Sequence, residues 1–406
     1  MRETPPGAEI SLYLHIPFCR RLCWFCACRT QGTKTDAPLA PYVASVLAEA
    51  KRVRASFPDH ITVRRMHLGG GTPTLPPASV MESLLGGLDR IFGLNALQEF
   101  SVEIDPVECD RERLGVLRDY GMTRASLGVQ DFEPRVQAAI GREQSPEITQ
   151  QVVGMLRELG IEAINFDLLY GLPFQNMSTL ERTLDTVLSM NPSRLALYGY
   201  AHVPWMSKRQ TVIPVEALPD PEARYGLFER ARNTLLGQGY LQIGIDHFAR
   251  PGDELAQAFV ERRLRRSFQG YTDDRISRLV GLGSSSVSRY PQGYAQNQSS
   301  TRLYQAAVRD GGLAVSRGLA LSPGDRCVAE VIEHLMCYFE VRLADLQGHG
   351  RLAHNVLSTM ADKFPEAVNF RDGKLRVERW ARPLVRIIAA SAGATGEERQ
   401  SYSAAI

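Results

Sequence analysis

Ser11-Leu-Tyr-Leu-His-Ile16, followed by Pro17-Phe-Cys19-Arg-Arg-Leu-Cys23-Trp-Phe-Cys26-Ala-Cys28, is the stretch from which the rest of the chain is read. Its apolar run predicts a strand over Ser11–Ile16, Pro17 closes it, and four thiols crowd the loop beyond. The pattern recurs downstream. Short apolar runs at Met66–Gly69, Phe100–Ile104, Arg124–Gly128, Ala163–Leu169, Leu195–Tyr200 and Leu241–Ile245 alternate with helix-like segments. Those segments are Tyr42–Phe57, Ser79–Phe92, Arg111–Tyr120, Pro146–Leu159, Ser178–Met190 and Pro221–Leu236. Strands spaced by helical patterns of about 10 to 15 residues predict βαβ units and a parallel sheet. Six or seven units are too many for a small doubly wound domain, so the expectation is an α/β fold with a full or partial barrel. Polar residues or glycines follow the strands: His15, Gly69–Thr72, Glu103 with Asp105, Gln130, Asp167 with Tyr170, and His202. In barrel enzymes the chemistry sits at that end of the strands.

Composition excludes several function classes. The 406 residues carry 47 basic and 45 acidic side chains, a net charge of +2 that argues against a nucleic-acid or anionic-membrane binder. Only five of the basic residues are lysine, so an arginine cluster by itself says little. No apolar run approaches the ~18 to 20 residues needed to cross a bilayer. Met1–Ile10 has neither a basic nor an apolar leader region, so a cytoplasmic protein without a membrane span is expected. Residues 1–10 form a short N-terminal extension, and the barrel is expected over 11–290. Past residue 250 the alternation breaks. Glu254–Arg266 reads as a charged helix, and Phe268–Thr272 and Gly281–Ser288 read as loops. Helices at Thr301–Asp310, Gly324–Glu340 and Arg351–Lys363 precede Asn369–Val377, whose central Asp372-Gly373 is a hairpin signal. Residues 291–406 are therefore expected to form a mainly helical, winged-helix-like domain.

Four of the seven cysteines lie together, while Cys109, Cys327 and Cys337 are scattered. An odd count with one tight cluster and no leader points to metal binding rather than disulfides. Cys19, Cys23 and Cys26 suit three corners of a [4Fe–4S] cluster, leaving the fourth iron open to a small molecule. Zinc is the bland alternative, although structural zinc sites usually present separated cysteine pairs. A closed electron-transfer cluster with Cys28 as fourth ligand is another, with one intervening residue in which to wrap back. Gly69–Gly71 matches neither a dinucleotide nor a P-loop pattern, and no Gly-x-Ser-x-Gly elbow accompanies it. It is either a close-approach backbone for a ligand or a plain strand-to-helix turn opening at Pro73.

Tyr13-Leu-His15-Ile-Pro-Phe-Cys19-x3-Cys23-Trp-Phe25-Cys26-Ala-Cys28 resembles the signature of radical S-adenosylmethionine (SAM) enzymes, and more narrowly the oxygen-independent coproporphyrinogen III oxidases. That family has the extra cysteine matched by Cys28, which its haem-chaperone and haem-degrading relatives typically lack. The similarity continues through Gly69–Thr74, Glu103-Ile-Asp105-Pro, Gly128-Val-Gln130-Asp-Phe, Gly141-Arg142-Glu-Gln and Asp167-Leu-Leu-Tyr-Gly-Leu-Pro173. It runs on through Tyr200-Ala201-His202, Gly244–Pro251, Phe268–Thr272, Gly281–Gly283 and Tyr294–Gln298, covering about residues 11 to 340.

The resemblance implies a partial (β/α)6-type radical SAM barrel. It implies Cys19, Cys23 and Cys26 as ligands of one [4Fe–4S] cluster, and two SAM molecules. Tyr13, Phe25, Gly70, Glu103 and Val287 match contacts to the first; Gly71, Thr72, Gln130, Arg142, Asp167 and Ala201 match contacts to the second. His15 and the stretch Phe268–Tyr271, with Phe268 and Gln269 foremost, match the substrate side. The implied reaction splits SAM reductively into methionine and a 5′-deoxyadenosyl radical. The radical takes a hydrogen from a propionate β-carbon, and loss of CO2 and one electron leaves a vinyl group. Two rounds convert coproporphyrinogen III into protoporphyrinogen IX, in haem biosynthesis. A low-potential reductase such as flavodoxin or ferredoxin is the implied electron source, and a monomer is expected. With four propionates on the substrate, Arg262, Arg263, Arg265 and Arg266 are candidate partners, although a solvated helix face would read the same. Family members usually carry a longer N-terminal extension than the ten residues before Ser11. A competing reading is a haem chaperone on the same fold, which binds haem without oxidising propionates.

Overall fold

In the computed structural model, residues 1, 3–267, 270–346 and 348–393 are described. They fall into two compact units: Met1–Ser193 with Pro204–Leu218 and Ile276–Ala320, and Arg194–Val203 with Pro219–Arg275 and the chain from Leu321. Among the described residues no helix is long and apolar enough to cross a membrane.

The first unit holds the strands β1 (Ala8–Ile16), β2 (Ile61–Gly70), β3 (Glu99–Ile104), β4 (Arg124–Gln130), β5 (Ala163–Tyr170), β6 (Leu279–Leu282), β7 (Val287–Tyr290), β8 (Gly293–Asn297) and β9 (Val315–Ala320), in spatial order β9-β8-β7-β6-β1-β2-β3-β4-β5. From β6 through β1 to β5 the six strands pair parallel. The other three add antiparallel beyond β6. β1 lies between two parallel neighbours and is buried continuously from Ile10 to Ile16, which is why its sequence reads as a run rather than an alternation.

The crossovers are amphipathic helices: α1 (Leu39–Ala55), α2 (Ala78–Phe92), α3 (Arg111–Asp119), α4 (Pro134–Ile140), α5 (Pro146–Glu158) and α6 (Met177–Ser189). α2 buries Met81, Leu84, Leu85, Leu88 and Phe92, spaced to form one helical face. Side chains of this kind are worth about 1.5 to 3 kcal/mol each when fully buried. The sequence marks the helix starts: Ser145 caps α5 ahead of Pro146, and Asn176 with Thr179 forms a capping box on α6. A further helix, α7 (Thr301–Arg309), belongs to the same unit.

In the second unit Arg194–Gly199 pairs antiparallel with His247–Ala249, which pairs antiparallel with Leu241–Ile243. Leu241–Ile245 is thus not a barrel strand but part of a short hairpin. Helices Pro323–Tyr338 and Gly350–Lys363 pack with a three-stranded sheet of Glu340–Arg342, Lys374–Val377 and Val368–Arg371, around Val331, Leu335, Leu357, Met360, Leu375 and Val385. Asp372 and Gly373 take positive φ of 52° and 69°, as a two-residue hairpin turn requires.

Three other expectations change. The helix from Glu254 stops at Val260, because Arg262 turns left-handed and the amides of Arg263 and Leu264 both fold back to the Ala258 carbonyl. Gly270–Thr272, Leu279–Leu282 and Val287–Tyr290 are strands rather than loops; each is four residues or fewer, too short to announce itself. The first compact unit runs on to Ala320 rather than ending near residue 290, since β8 and β9 extend its sheet.

Candidate active site

The end of β1 presents Tyr13 and His15 on one face. The Tyr13 hydroxyl lies 3.0 Å from His15 Nδ1, and His15 Nε2 meets the Arg29 carbonyl at 3.0 Å, so the imidazole is fixed from both sides. Burial lowers the His15 pKa despite that carbonyl bond. Tyr13 stacks on His67 of β2, at 5.7 Å between ring centroids. His67 in turn contacts Ser101 (2.6 Å) and Glu103 (3.3 Å) of β3. Burial would raise the Glu103 pKa, but His67 and the Gly70 N–H, which donates to Glu103 Oε2 at 3.0 Å, hold it below the usual value.

The glycine run has a steric reason. Gly70 has φ +120°, and a Cβ there would lie 2.8 Å from the His15 ring. A Cβ on Gly71 would lie 2.7 Å from the Phe18 carbonyl and 2.8 Å from Cys19 Sγ. This close approach is cemented by two bonds, Gly71 N–H to the Ile16 carbonyl and Thr72 N–H to the Phe18 carbonyl, each 2.8 Å. Chain bearing the first cysteine therefore lies directly on the end of β2.

Two further segments grip the cysteine loop. On one side the Trp24 N–H donates to the Ile140 carbonyl, Arg21 reaches the Glu143 carbonyl, and the Trp24 ring fills the space beside Gly141. On the other, Ser207 donates to the Cys26 carbonyl, Gln210 to that of Phe25, and Arg209 to Thr30. Arg142 joins the parts: it contacts Asp105 at 3.1 Å and Cys23 Sγ at 3.5 Å, and donates to the Gly128 carbonyl at 2.7 Å. Burial pushes the Cys19 thiol up to about 11. The Cys26 thiol is held down at about 6 by hydrogen bonding from Cys28, with Arg209 and Arg142 adding favourable charge.

The remaining expected residues sit as follows. Gln130 ends β4 with φ +68°, beyond a register break at Gly128, and its amide and the Arg142 guanidinium both cross over Gly128. Asp167 accepts from Ser126 (3.0 Å) and Asn165 (2.9 Å). Val287 lies in β7 with its carbonyl against Gly281. Ala201 belongs to the second unit. Phe268 and Gln269 lie outside the described residues. Of the arginine group, Arg262 pairs with Glu340 and Asp345, Arg263 with Glu261, and Arg265 with Glu333; Arg266 has no ion pair among the described residues and lies 5.5 Å from the Tyr271 ring centre. Sequence reasoning missed His67, the role of Asp105 as Arg142's partner, and the Ser207–Gln210 clamp. Only His67 left a signal, through its parity with Gly69 on β2 and with Glu103 across the pair.

Among the described residues no group of three His, Cys, Asp or Glu side chains forms a site for a metal ion. Ligands of a multi-iron cluster, however, bind separate irons and need not converge on one point. Three thiols in one loop, with two arginines lowering the thiolates' charge cost, fit such a cluster.

Residues 13–187 match the radical SAM superfamily. The oxygen-independent coproporphyrinogen III oxidase of Paracoccus denitrificans is 50% identical over 406 residues, covering 99% of this chain and 90% of that protein. The chain belongs to this family. A relative of the same name from Cereibacter sphaeroides is 47% identical over 393 residues, covering 96% of this chain and 87% of its own. The structure of the Escherichia coli coproporphyrinogen III oxidase, a radical SAM enzyme, matches with a TM-score of 0.91 at 33% identity, over 97% of this chain and 92% of that one. The chain is accordingly an oxidoreductase of the radical SAM class on a partial (β/α)6-type barrel, in a family that uses a [4Fe–4S] cluster and SAM.

Proposed function

We propose that this chain oxidatively decarboxylates two propionates of coproporphyrinogen III to vinyl groups, giving protoporphyrinogen IX in oxygen-independent haem synthesis. The observation that carries the reading is the cysteine loop seated on Gly70–Thr72, with Glu103 and Arg142 beside it. When bound, the cluster and SAM supply a 5′-deoxyadenosyl radical able to take a hydrogen from an unactivated propionate carbon.

Cys19, Cys23 and Cys26 hold the cluster, and the exposed Cys28 does not ligate it. Tyr13, Phe25, Gly70, Glu103 and Val287 bind one SAM. Gly71, Thr72, Gln130, Arg142, Asp167 and Ala201 bind a second. Glu103, kept ionised by His67 and the Gly70 N–H, suits a ribose diol, whose two hydroxyls both donate. Arg142 retains an unpartnered Nε that suits a carboxylate. His15, oriented at both nitrogens, serves the substrate side, and by the resemblance so do Phe268 and Gln269. With its three neighbours engaged by carboxylates, Arg266 is the arginine of that group left for a propionate. The electron source is a flavodoxin or ferredoxin, and the protein works as a cytoplasmic monomer.

The test is anaerobic reconstitution with reductant, SAM and coproporphyrinogen III, following 5′-deoxyadenosine and protoporphyrinogen IX together. Both products are expected. Deoxyadenosine alone overturns the substrate. Neither product from protein with an intact cluster, together with stoichiometric haem binding, favours the chaperone reading.

A further inference from the structure

A groove of about 810 Å3 runs between α1 and α7 of the first unit. Its lining is apolar at Phe18, Pro41, Ala44 and Ala48 and positive at Arg52, Arg302 and Arg309. It also touches Gln31, and Gln31–Gly32 pairs with Phe18–Cys19 in a two-strand ladder, Cys19 opposite Gly32. Neighbouring strands lie ~4.8 Å apart. The groove is thus lined by the ladder that carries the first cluster cysteine.

In an arginine-rich chain the number of arginines means little; their partners matter. Arg302 and Arg309 are exposed and make no ion pair among the described residues. Arg52 donates to the carbonyls of Val308 and Gly312. Nearby carboxylates are occupied: Asp36 pairs with Arg20, and Glu49, which Arg52 faces, is buried and accepts from Gly283, Asn297 and Tyr304. Asp310 alone follows Arg309 at the rim. An apolar floor with a net positive rim complements an acidic protein surface.

We propose that this groove docks the acidic, low-potential one-electron carrier that reduces the cluster through the Phe18–Cys19 ladder. The proposal rests on the radical SAM reading of the cysteine loop. In the step, the reduced carrier loses one electron and the cluster passes from [4Fe–4S]2+ to [4Fe–4S]+, with no proton transferred.

The test uses reduced flavodoxin, full-length protein and the charge-reversed R302E/R309E. Cluster reduction is followed by stopped-flow absorbance, and flavodoxin affinity for the cluster-free protein by calorimetry. R351E/R371E, exposed on the second unit, makes the same change in net charge and is the control. The groove variant should be reduced at least ~10-fold more slowly at low ionic strength, narrowing to about twofold at 0.5 M salt, and should bind flavodoxin at least ~10-fold more weakly. Its dithionite-driven release of 5′-deoxyadenosine should match the unmodified protein, as should the control throughout. Unchanged flavodoxin reduction in R302E/R309E, equal slowing in the control, or conversion of a dimer to a monomer by the groove variant overturns the proposal. If the unmodified protein releases no 5′-deoxyadenosine under dithionite, the functional reading itself falls, while binding to cluster-free protein still reports on the groove.

Discussion

Gly71→Ala is the sharpest probe of how the cysteine loop is held. A Cβ at this position would sit 2.7 Å from the Phe18 carbonyl oxygen, 2.8 Å from Cys19 Sγ and 2.9 Å from the Pro17 carbonyl carbon. Two of these are backbone atoms, so rotating a side chain cannot relieve the overlap; the loop must lift off β2. Overpacking of this kind typically costs about 1 to 3 kcal/mol. Lifting also weakens the bond from the Thr72 N–H to the Phe18 carbonyl, worth about 0.5 to 1.5 kcal/mol net. A total of about 2 to 4 kcal/mol, at about 1.4 kcal/mol per decade, lowers the population of the cluster-competent loop by about 30- to 1000-fold. Thermal melting, which moves about 2 to 4 °C per kcal/mol in a 150- to 250-residue domain, reports the whole unit and does not isolate the loop. Iron and sulfide per chain after limited reconstitution are the better assay. Gly69→Ala is the comparison: the three atoms nearest its Cβ would belong to the side chains of Glu103 and His67, which can give way. G71A should lose most of its cluster while G69A keeps it and binds SAM more weakly. Equal iron content in the two variants would refute the steric argument.

Three shorter predictions follow. Cys28→Ser should retain the cluster and its EPR response to SAM, whereas serine at Cys19, Cys23 or Cys26 should abolish iron binding; loss of iron in C28S would instead indicate a closed four-cysteine cluster. Arg142→Lys removes the fork that reaches Asp105, Cys23 and Gly128 together, and should weaken SAM binding about tenfold or more in equilibrium dialysis with little change in melting. Glu49 is raised to about 7 by burial, so between about pH 4.5 and pH 7 the folded chain binds more protons than the unfolded one. Stability should therefore fall as pH rises through that window and level off above it, and Glu49→Gln should flatten the trend in urea midpoints measured from pH 5 to 8.

The parallel core was legible because its signals are local. β1 announces itself through continuous burial, and the helices through apolar periodicity with caps such as Ser145 and Asn176. The antiparallel strands β7, β8 and β9 were not. They are short and polar, every residue of β9 is exposed, and only pairing with a neighbour makes them strands. The charged stretch after Glu254 misled because composition cannot show where Arg262 turns left-handed. In the site, thiols, glycines and strand-end carboxylates could be picked out by chemistry. Their supports could not. Ser207 and Gln210 act through the carbonyls of Cys26 and Phe25 about 180 residues away, and a backbone acceptor leaves no trace in the sequence of either partner.

Those supports have a consequence for the loop's dynamics. From Arg20 to Thr30 the chain has no regular structure, and it is anchored mainly at Trp24, Phe25, Cys26 and Thr30. The thiols themselves make few protein contacts. Cys26 Sγ accepts the Cys28 N–H at 3.4 Å, and Cys23 Sγ meets Arg142 at 3.5 Å; both lengths are ordinary for sulfur, which is a weak acceptor. Such a loop is tethered at its carbonyls and loose at its thiols, so cluster binding should supply the missing order. Hydrogen exchange compared between cluster-free and reconstituted protein, under anaerobic conditions, should show protection rising in residues 20–30. The Gly71 and Thr72 amides, which hold the Ile16 and Phe18 carbonyls beneath the loop, should change little. Equal exchange in 20–30 would mean that the protein alone organises the site, and protection rising across the whole first unit would mean that the cluster is a folding requirement for the barrel.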